Sequence, residues 1–203
     1  MPDHPVICKD QAKQSQLRHD NTAEGLRQII SWVGMPSSNE TAYRLMRGVE
    51  ELGEEGLHRS DILAIMPGGE SVMIDVTVVH PCGQEALCKA WHTYGATAKW
   101  AEKLKRDKWQ GFVDKPQYEF VPFALESYGR LGPSATAFLS RLGDIAAASG
   151  RVSKSRFMMN AYRLLSCTLQ RGNSAMYSKA QWAVARAKGK NFMPGLDVPF
   201  EGL

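Results

Sequence analysis

The sequence has few cysteines, four in 203 residues, and no two of them form a CxxC pair. Such sparse thiols are typical of a reduced intracellular protein rather than a disulfide-stapled one. The chain also lacks an apolar run of about 18 residues and a signal-like start, so we expect neither membrane insertion nor secretion. Two histidines and two cysteines cluster between residues 80 and 92, but their spacing fits no common zinc pattern.

Acidic residues are missing from one long stretch, which contains no Asp or Glu between Ile145 and Leu196. The formal net charge of the whole chain is +4, so the positive charge is concentrated in this C-terminal third. That concentration suggests a polyanionic partner, although a solvated helical face would explain the same charges. The cations of the stretch are Arg151, Lys154, Arg156, Arg163, Arg171, Lys179, Arg186, Lys188 and Lys190.

The segment from Arg59 to Val79 is the best-defined pattern in the chain, because two apolar runs flank a Pro-Gly-Gly turn. Short β-branched runs around such a turn predict a β-hairpin. Each run carries one carboxylate, Asp61 or Asp75. Two carboxylates facing each other at about 4 Å would repel by roughly 4 kcal/mol at an effective dielectric of about 20, and a divalent cation would reverse that repulsion. In the plainer alternative, Asp61 caps the strand and Asp75 faces water.

The hairpin register distinguishes these alternatives, since side chains alternate between the two faces of a strand. A two-residue loop of Gly68 and Gly69 would set Asp61 opposite Val76 and turn Asp75 to the other face. A shared metal site needs an odd-membered loop or a bulge, so that Asp61 lies across from Asp75 or one pair away on the same face. We predict that register.

The chain is long enough for one domain with a buried core. We expect a flexible leader over residues 1–16, a core over 17–130 and a basic helical C-terminal extension over 131–203 that packs on the core. The order of elements favours an α/β fold with a mixed sheet. Besides the hairpin, apolar spacing and Gly or Pro breaks predict helices over Leu17–Val33, Glu85–Gln110, Ala135–Ala148, Arg156–Leu169 and Ala180–Lys188, and strands over Thr41–Met46 and Tyr118–Leu125.

Lys105 lies on the mostly apolar side of the helix predicted over Glu85–Gln110, where a charged residue is not expected. At about 100° per residue, Lys105 falls on the stripe formed by Leu87, Trp91, Tyr94, Ala98 and Trp109. The neighbouring cations Lys99, Lys103 and Arg106 lie off this stripe, and exposure to solvent is enough to explain their charges. Lys105 therefore either reaches a site near the core or snorkels past it to water.

Paired carboxylates with an inward lysine suit metal-assisted phosphodiester hydrolysis. A metal polarises the phosphoryl oxygen and lowers the pKa of the attacking water. The lysine can orient that water or stabilise the developing charge. A basic flank would hold the nucleic-acid backbone.

These residues resemble the PD-(D/E)XK nuclease superfamily, and more closely the restriction-like endonuclease domain of certain non-LTR retrotransposons. The similarity spans about residues 18 to 173, and it implies a restriction-endonuclease-like αβββαβ core with a mixed central sheet and extra C-terminal helices. The motifs that carry it are Arg18-His19, RSDI, IDVTVVHP, AEKLKRDKW, FVPFALESYGRLG and LLSCTLQRGN.

The resemblance implies that Asp61 and Asp75 bind Mg²⁺ or Mn²⁺. Thr77 occupies the usual position of the superfamily lysine, and in the resembling domains that lysine comes from the following helix, four residues before an aromatic. Lys105 and Trp109 fit that spacing. Ser60 replaces the usual proline, which removes no ligand.

A further acid often joins the site in this superfamily, from the first helix or strand, and here Glu24 and Glu40 are open alternatives. Other candidate members are Glu126, which could equally cap a turn, Glu102 and His19. The predicted DNA contacts are Arg59, Arg151, Lys154, Arg156, Arg163 and Arg171.

The implied function is a metal-dependent DNA endonuclease, intracellular and nuclear, that nicks target DNA to prime reverse transcription. Its partners would be DNA and the reverse-transcriptase and DNA-binding domains of a larger polyprotein. The alternative is a degenerate DNA-binding module that keeps the nuclease fold, which would bind DNA without turnover. A structural or protein-interaction domain would bind neither DNA nor metal.

Overall fold

The computed structural model describes residues 11–42, 59–82, 93–109 and 118–187. Within these ranges four strands form one open mixed sheet in the order β1-β2-β3-β4. The β1–β2 and β2–β3 pairs are antiparallel and the β3–β4 pair is parallel, so the predicted α/β class with a mixed sheet is confirmed. In chain order the elements are α1 Ala12–Trp32, β1 Ser37–Ala42, β2 Arg59–Ile65, β3 Ser71–Val79, α2 Ala96–Trp109, β4 Tyr118–Glu126, α3 Pro133–Ala148 and α4 Lys154–Ala187.

The turn of the β2–β3 hairpin has the odd-membered loop that was predicted. Ile65 pairs with Ser71, and Met66 N–H donates to Glu70 O at 2.8 Å, which leaves the three residues Pro67 to Gly69 in the loop. Gly69 N–H donates back to Met66 O, and Gly69 has a φ of 87°, a conformation that favours glycine. The loop length therefore fixes the register of every pair along the hairpin.

The helices cover both faces of the sheet. On β3, Val72, Ile74 and Val76 pack into one large apolar cluster, whereas Met73 packs on the opposite face with Trp109 of α2. The first face is covered by α1, α3 and α4, whose buried members include Leu26, Ile29, Ile30, Phe138, Leu139, Leu142, Phe157, Ala161 and Leu165. The sheet is thus a middle layer, with α2 alone among the described helices on the face of Met73.

Two predicted boundaries near the N-terminus were wrong. The first helix begins at Ala12, five residues before the predicted start, so residues 12–16 are helical and not part of a leader. Contacts with α4 stabilise this extra turn, since Gln14 Oε1 accepts a hydrogen bond from Lys179 Nζ at 2.6 Å. The first strand is Ser37–Ala42, which overlaps the predicted Thr41–Met46 only at its end; residues 43–46 lie outside the described ranges. Its polar sequence pairs as the edge of the sheet, which propensity alone does not reveal.

The predicted helix over Glu85–Gln110 is not continuous, because residues 93–95 form a bend and a turn. Gly95 has a φ of 75° and lies in a turn, so the described helix starts at Ala96. Residues 83–92 and 110 lie outside the description.

The predicted helices over Arg156–Leu169 and Ala180–Lys188 form one continuous helix, α4, as far as Ala187. The helix runs through Gly172, where an added Cβ would lie 2.5 Å from Arg18 Cγ. The glycine therefore lets α1 pack closely against α4 without ending the helix. No helix in the described part of the chain is long and apolar enough to cross a membrane.

Candidate active site

The hairpin register brings Asp61 and Asp75 to the same row of the sheet. The paired residues run from Ile65↔Ser71 to Ile62↔Ile74, and the next step of this register sets Asp61 against Asp75. Asp75 lies on the sheet face of Met73, beneath α2, where Lys105 and Trp109 reach it, and Asp61 is reached by His19 of α1. Their carboxyl groups are close enough for a hydrogen bond between them. The neighbouring strand adds Glu40 to this row, because the flanking pairs Asn39↔Ile62 and Thr41↔Ser60 place it opposite Asp61.

Side chains replace the backbone ladder where β2 and β3 separate beyond the pair Ile62↔Ile74. Val76 N–H donates to Asp61 Oδ2 at 2.6 Å. His19, from α1, places its Nε2 3.0 Å from Val76 O and 3.3 Å from Asp61 Oδ2. His19 Nδ1 lies 3.1 Å from Asp20 Oδ1. Asp61 is thus held by a backbone amide and an imidazole, and its orientation is determined by both.

Two residues of α2 hold the second carboxylate. Lys105 Nζ donates to Asp75 Oδ1 at 2.9 Å, and Trp109 Nε1 donates to Asp75 Oδ2 at 2.8 Å. Positions four apart on a helix lie on one face, which is why both side chains reach the same group. Asp75 is only 5% exposed and Trp109 only 1%, whereas a quarter of the Lys105 side chain is exposed. Lys105 therefore connects a buried carboxylate to solvent.

The environments of the two carboxylates push their pKa values apart. Burial would raise the pKa of Asp61, but its hydrogen bonds and ion pair with His19 outweigh burial and lower that pKa. For Asp75, burial raises the pKa in spite of Lys105, and the nearby charge of Asp61 raises it further. The hydrogen bond with Asp61 raises the pKa of His19 to about 9 against the opposing effect of burial. Carboxyl pairs of this kind are typical of functional sites.

The donor set fits a hard divalent cation. Mg²⁺ prefers oxygen ligands and is usually bound by one or two carboxylates together with waters and substrate phosphates. Asp61 and Asp75 supply that number. Within the described residues no group of three or more His, Cys, Asp or Glu side chains is arranged to hold a metal. The side chain of Glu40, in the same row, lies outside the described part.

Most of the residues that line the space next to Asp61 are polar. A cavity of about 80 Å³ lies between α1 and the first two strands, with Asp61 and Asn39 in its wall. Glu24, the other alternative for a third acid, also lines it but forms an ion pair with Arg27 at 2.9 Å. The structure thus places Glu24 beside Asp61, and Glu40 belongs to the strand that pairs with β2.

Two further candidates occupy helix N-termini. Glu102 accepts hydrogen bonds from Ser134 N–H at 2.9 Å and from Ala135 N–H at 3.2 Å, which caps α3. Glu126 Oε1 accepts from Ala98 N–H at 3.2 Å in the first turn of α2. Both carboxylates are buried in these contacts, so we assign them structural roles outside the site.

The predicted DNA contacts of the C-terminal third are not brought together with the carboxylates. Arg151, Arg156, Arg163 and Arg171 are exposed, and Lys154 pairs with Asp144 at 2.8 Å. Because α4 packs on α1 and α3, its exposed residues lie on the opposite side of the sheet from α2. The side chain of Arg59 lies outside the described part.

A second polar network, which the sequence did not predict, links four elements near the end of β4. Arg18 Nη1 donates to Asn173 Oδ1 at 2.9 Å, and Asn173 Nδ2 donates to Ser127 O at 2.8 Å. Ser127 Oγ lies 2.5 Å from His80 Nδ1. These residues are up to 155 positions apart in the chain, so no local pattern could have joined them. The network fixes α1 and α4 against the strand ends next to the site.

No model of a known protein family matches the sequence, and no curated protein matches it. The functional assignment therefore rests on the geometry of the Asp61–Asp75 row and the side chains that hold it.

Proposed function

We propose that this chain is a divalent-metal-dependent DNA endonuclease with a restriction-endonuclease-like core, which nicks target DNA. The observation that carries the proposal is the row of Asp61 and Asp75 on adjacent strands, with Lys105 Nζ 2.9 Å from Asp75 Oδ1. The order α1-β1-β2-β3-α2-β4 supports it, because the resembling superfamily has an αβββαβ core.

Asp61 and Asp75 would hold Mg²⁺ or Mn²⁺, which when bound polarises a phosphoryl oxygen and lowers the pKa of a water. The protein's own groups do the rest. Lys105 supplies a fixed positive charge at the solvent edge of the site, where negative charge develops on the phosphate. His19 and Trp109 hold the two carboxylates in position from opposite faces of the sheet.

Such an enzyme would work on chromosomal DNA in the nucleus, where the 3′ hydroxyl at the nick primes reverse transcription. The reverse-transcriptase and DNA-binding domains of a larger polyprotein would then be its partners. Target choice would depend on those domains, so we expect weak sequence specificity from this chain alone.

A degenerate DNA-binding module is the second candidate. Both oxygens of Asp75 already accept hydrogen bonds from side chains, and Thr77 stands at the usual lysine position. A module of this kind would bind DNA without cutting it.

Cleavage of supercoiled plasmid with Mg²⁺, Mn²⁺ or EDTA separates the two candidates. We expect metal-dependent nicking that Asp75→Ala and Lys105→Ala both abolish while DNA binding is retained. Lys108→Ala is the matched control, because Lys108 is an exposed lysine of the same helix and should leave nicking unchanged. Nicking at the wild-type rate by Asp75→Ala would exclude the proposed site. DNA binding with no nicking by the wild-type protein would favour the degenerate module.

A further inference from the structure

A basic groove runs between α2 and α3, away from the Asp61–Asp75 row. Two cavities of about 560 and 500 Å³ lie side by side there. They share Pro133 and Ala137 in their walls, so they form one groove over the first turns of α3, which we call the α2–α3 groove. Each cavity is within the size range of pockets that hold small ligands, which includes single nucleotides.

The groove is strongly positive. Four cations line it, and among the described lining residues the one acid is Glu119, which pairs with Arg141 at 2.8 Å. The positive N-terminus of α3 is already capped by Glu102, so the field in the groove comes from side chains. A concave surface lined by charges of one sign attracts a polyanion. The four cations are Lys99, Arg106, Arg130 and Arg141.

An exposed aromatic ring lies in the same groove. Tyr94 is 92% exposed, and the guanidinium carbon of Arg130 lies 5.3 Å from the centre of its ring. Aromatic rings beside arginines are the typical platform on which unpaired bases stack. Bases of a duplex are stacked on each other and do not offer that face. The aromatic ring therefore favours a single strand over a duplex.

The groove adjoins the helix that carries Lys105. Lys99 and Arg106 are seven residues apart, which places them on one stripe of α2 about 10.5 Å apart along its axis. Arg106 directly follows Lys105, whose Nζ contacts Asp75. A strand that follows the stripe would thus pass alongside the helix that reaches into the carboxylate row.

We propose that the α2–α3 groove binds single-stranded DNA, with its phosphates on Lys99, Arg106 and Arg130 and an unpaired base on Tyr94. The inference rests on the proposed function for the identity of the substrate as DNA. It assigns strand binding to residues of α2 and of the β4–α3 turn, and not to the exposed arginines of α4.

The test measures the affinity for a fluorescein-labelled oligothymidylate by anisotropy in EDTA over a series of salt concentrations. The groove variant combines Lys99→Gln, Arg106→Gln and Arg130→Gln. The matched control combines Arg156→Gln, Arg163→Gln and Arg171→Gln on α4, which removes the same charge. The measured quantity is the salt slope, the steepness with which the logarithm of the binding constant falls with the logarithm of the salt concentration. We expect the groove variant to reduce this slope by about 2, at roughly 0.7 per phosphate contact, and the α4 variant to leave it unchanged.

Tyr94 gives an independent readout. Tyr94→Ala should weaken binding roughly tenfold, whereas Tyr94→Phe keeps the ring and should bind like the wild type. A duplex of the same length should bind more weakly than the single strand. Thermal unfolding of each variant checks that the fold is intact.

Several results would overturn the groove. The first is an unchanged salt dependence of affinity in the groove variant, and the second is an equal loss of affinity for the oligothymidylate in the groove variant and the α4 variant. The third is tighter binding of the duplex than of the single strand. The fourth is equal competition by polyglutamate against the oligothymidylate in the wild type and in Tyr94→Ala. Because binding is measured in EDTA, it does not depend on cleavage. Metal-dependent nicking with a groove variant that binds normally would refute this inference alone, and groove-dependent binding without any nicking would refute the endonuclease alone.

Discussion

The contact between His19 and Asp61 makes the stability of the fold depend on pH. The pKa of His19 is raised from 6.5 to about 9, because its imidazolium donates to the Asp61 carboxylate. A raised pKa means that the folded protein holds this proton more tightly than the unfolded chain. The stabilisation is therefore complete below about pH 6.5 and is lost as the pH rises through 9.

The size of the effect follows from the same values. At about 1.4 kcal/mol for each tenfold change in proton affinity, the full shift corresponds to about 3 kcal/mol. The His19 side chain is 24% exposed, so solvent screening reduces this to about 2–3 kcal/mol. Between pH 6 and pH 9 the free energy of unfolding should fall by about that amount.

Urea unfolding in metal-free buffer measures the effect. The wild type should lose stability over this pH range, whereas His19→Gln and Asp61→Asn should each lose much less, since neither retains the pair. The difference between wild type and variants isolates His19 from lysines and tyrosines that titrate at higher pH. An equally steep pH dependence in His19→Gln would refute the reasoning.

Two further predictions concern the residues that hold α2 in place, both measured by urea unfolding. Glu102→Ala removes the cap of α3 and should lower the free energy of unfolding by about 1–2 kcal/mol. Glu102→Gln should lower it less, because the amide oxygen still accepts from Ser134 N–H. Equal decreases in the two variants would show that Glu102 does not act as a cap. Trp109→Phe and Asp75→Ala should be coupled by about 1–2 kcal/mol in a double-mutant cycle, because each removes the same hydrogen bond; additive losses would contradict that bond.

The parts of the fold that the sequence predicted are those set by local patterns. The odd-membered loop of the hairpin followed from the need to put Asp61 and Asp75 on one face, and the register shows it. The helical stripe placed Lys105 and Trp109 together, and both reach Asp75. In each case a period of two or of 3.6 residues carried the information.

The parts that the sequence did not predict depend on contacts between distant segments. Gly172 leaves room for Arg18 where α1 packs against α4, which no window around residue 172 can show. His19 was one candidate among several until the fold placed it against Asp61. Glu102 was another candidate site residue, yet its partner is the N-terminus of α3, more than 30 residues later.

Binding of Mn²⁺ tests the central claim, that Asp61 and Asp75 form a divalent-cation site, without requiring a DNA substrate. Electron paramagnetic resonance reports free Mn²⁺ as the protein is titrated. The account predicts a saturable site that Asp61→Asn and Asp75→Asn each weaken, with Asp144→Asn as a control, since Asp144 is an exposed carboxylate paired with Lys154. Equal Mn²⁺ affinity in the wild type and in Asp75→Asn would contradict the claim.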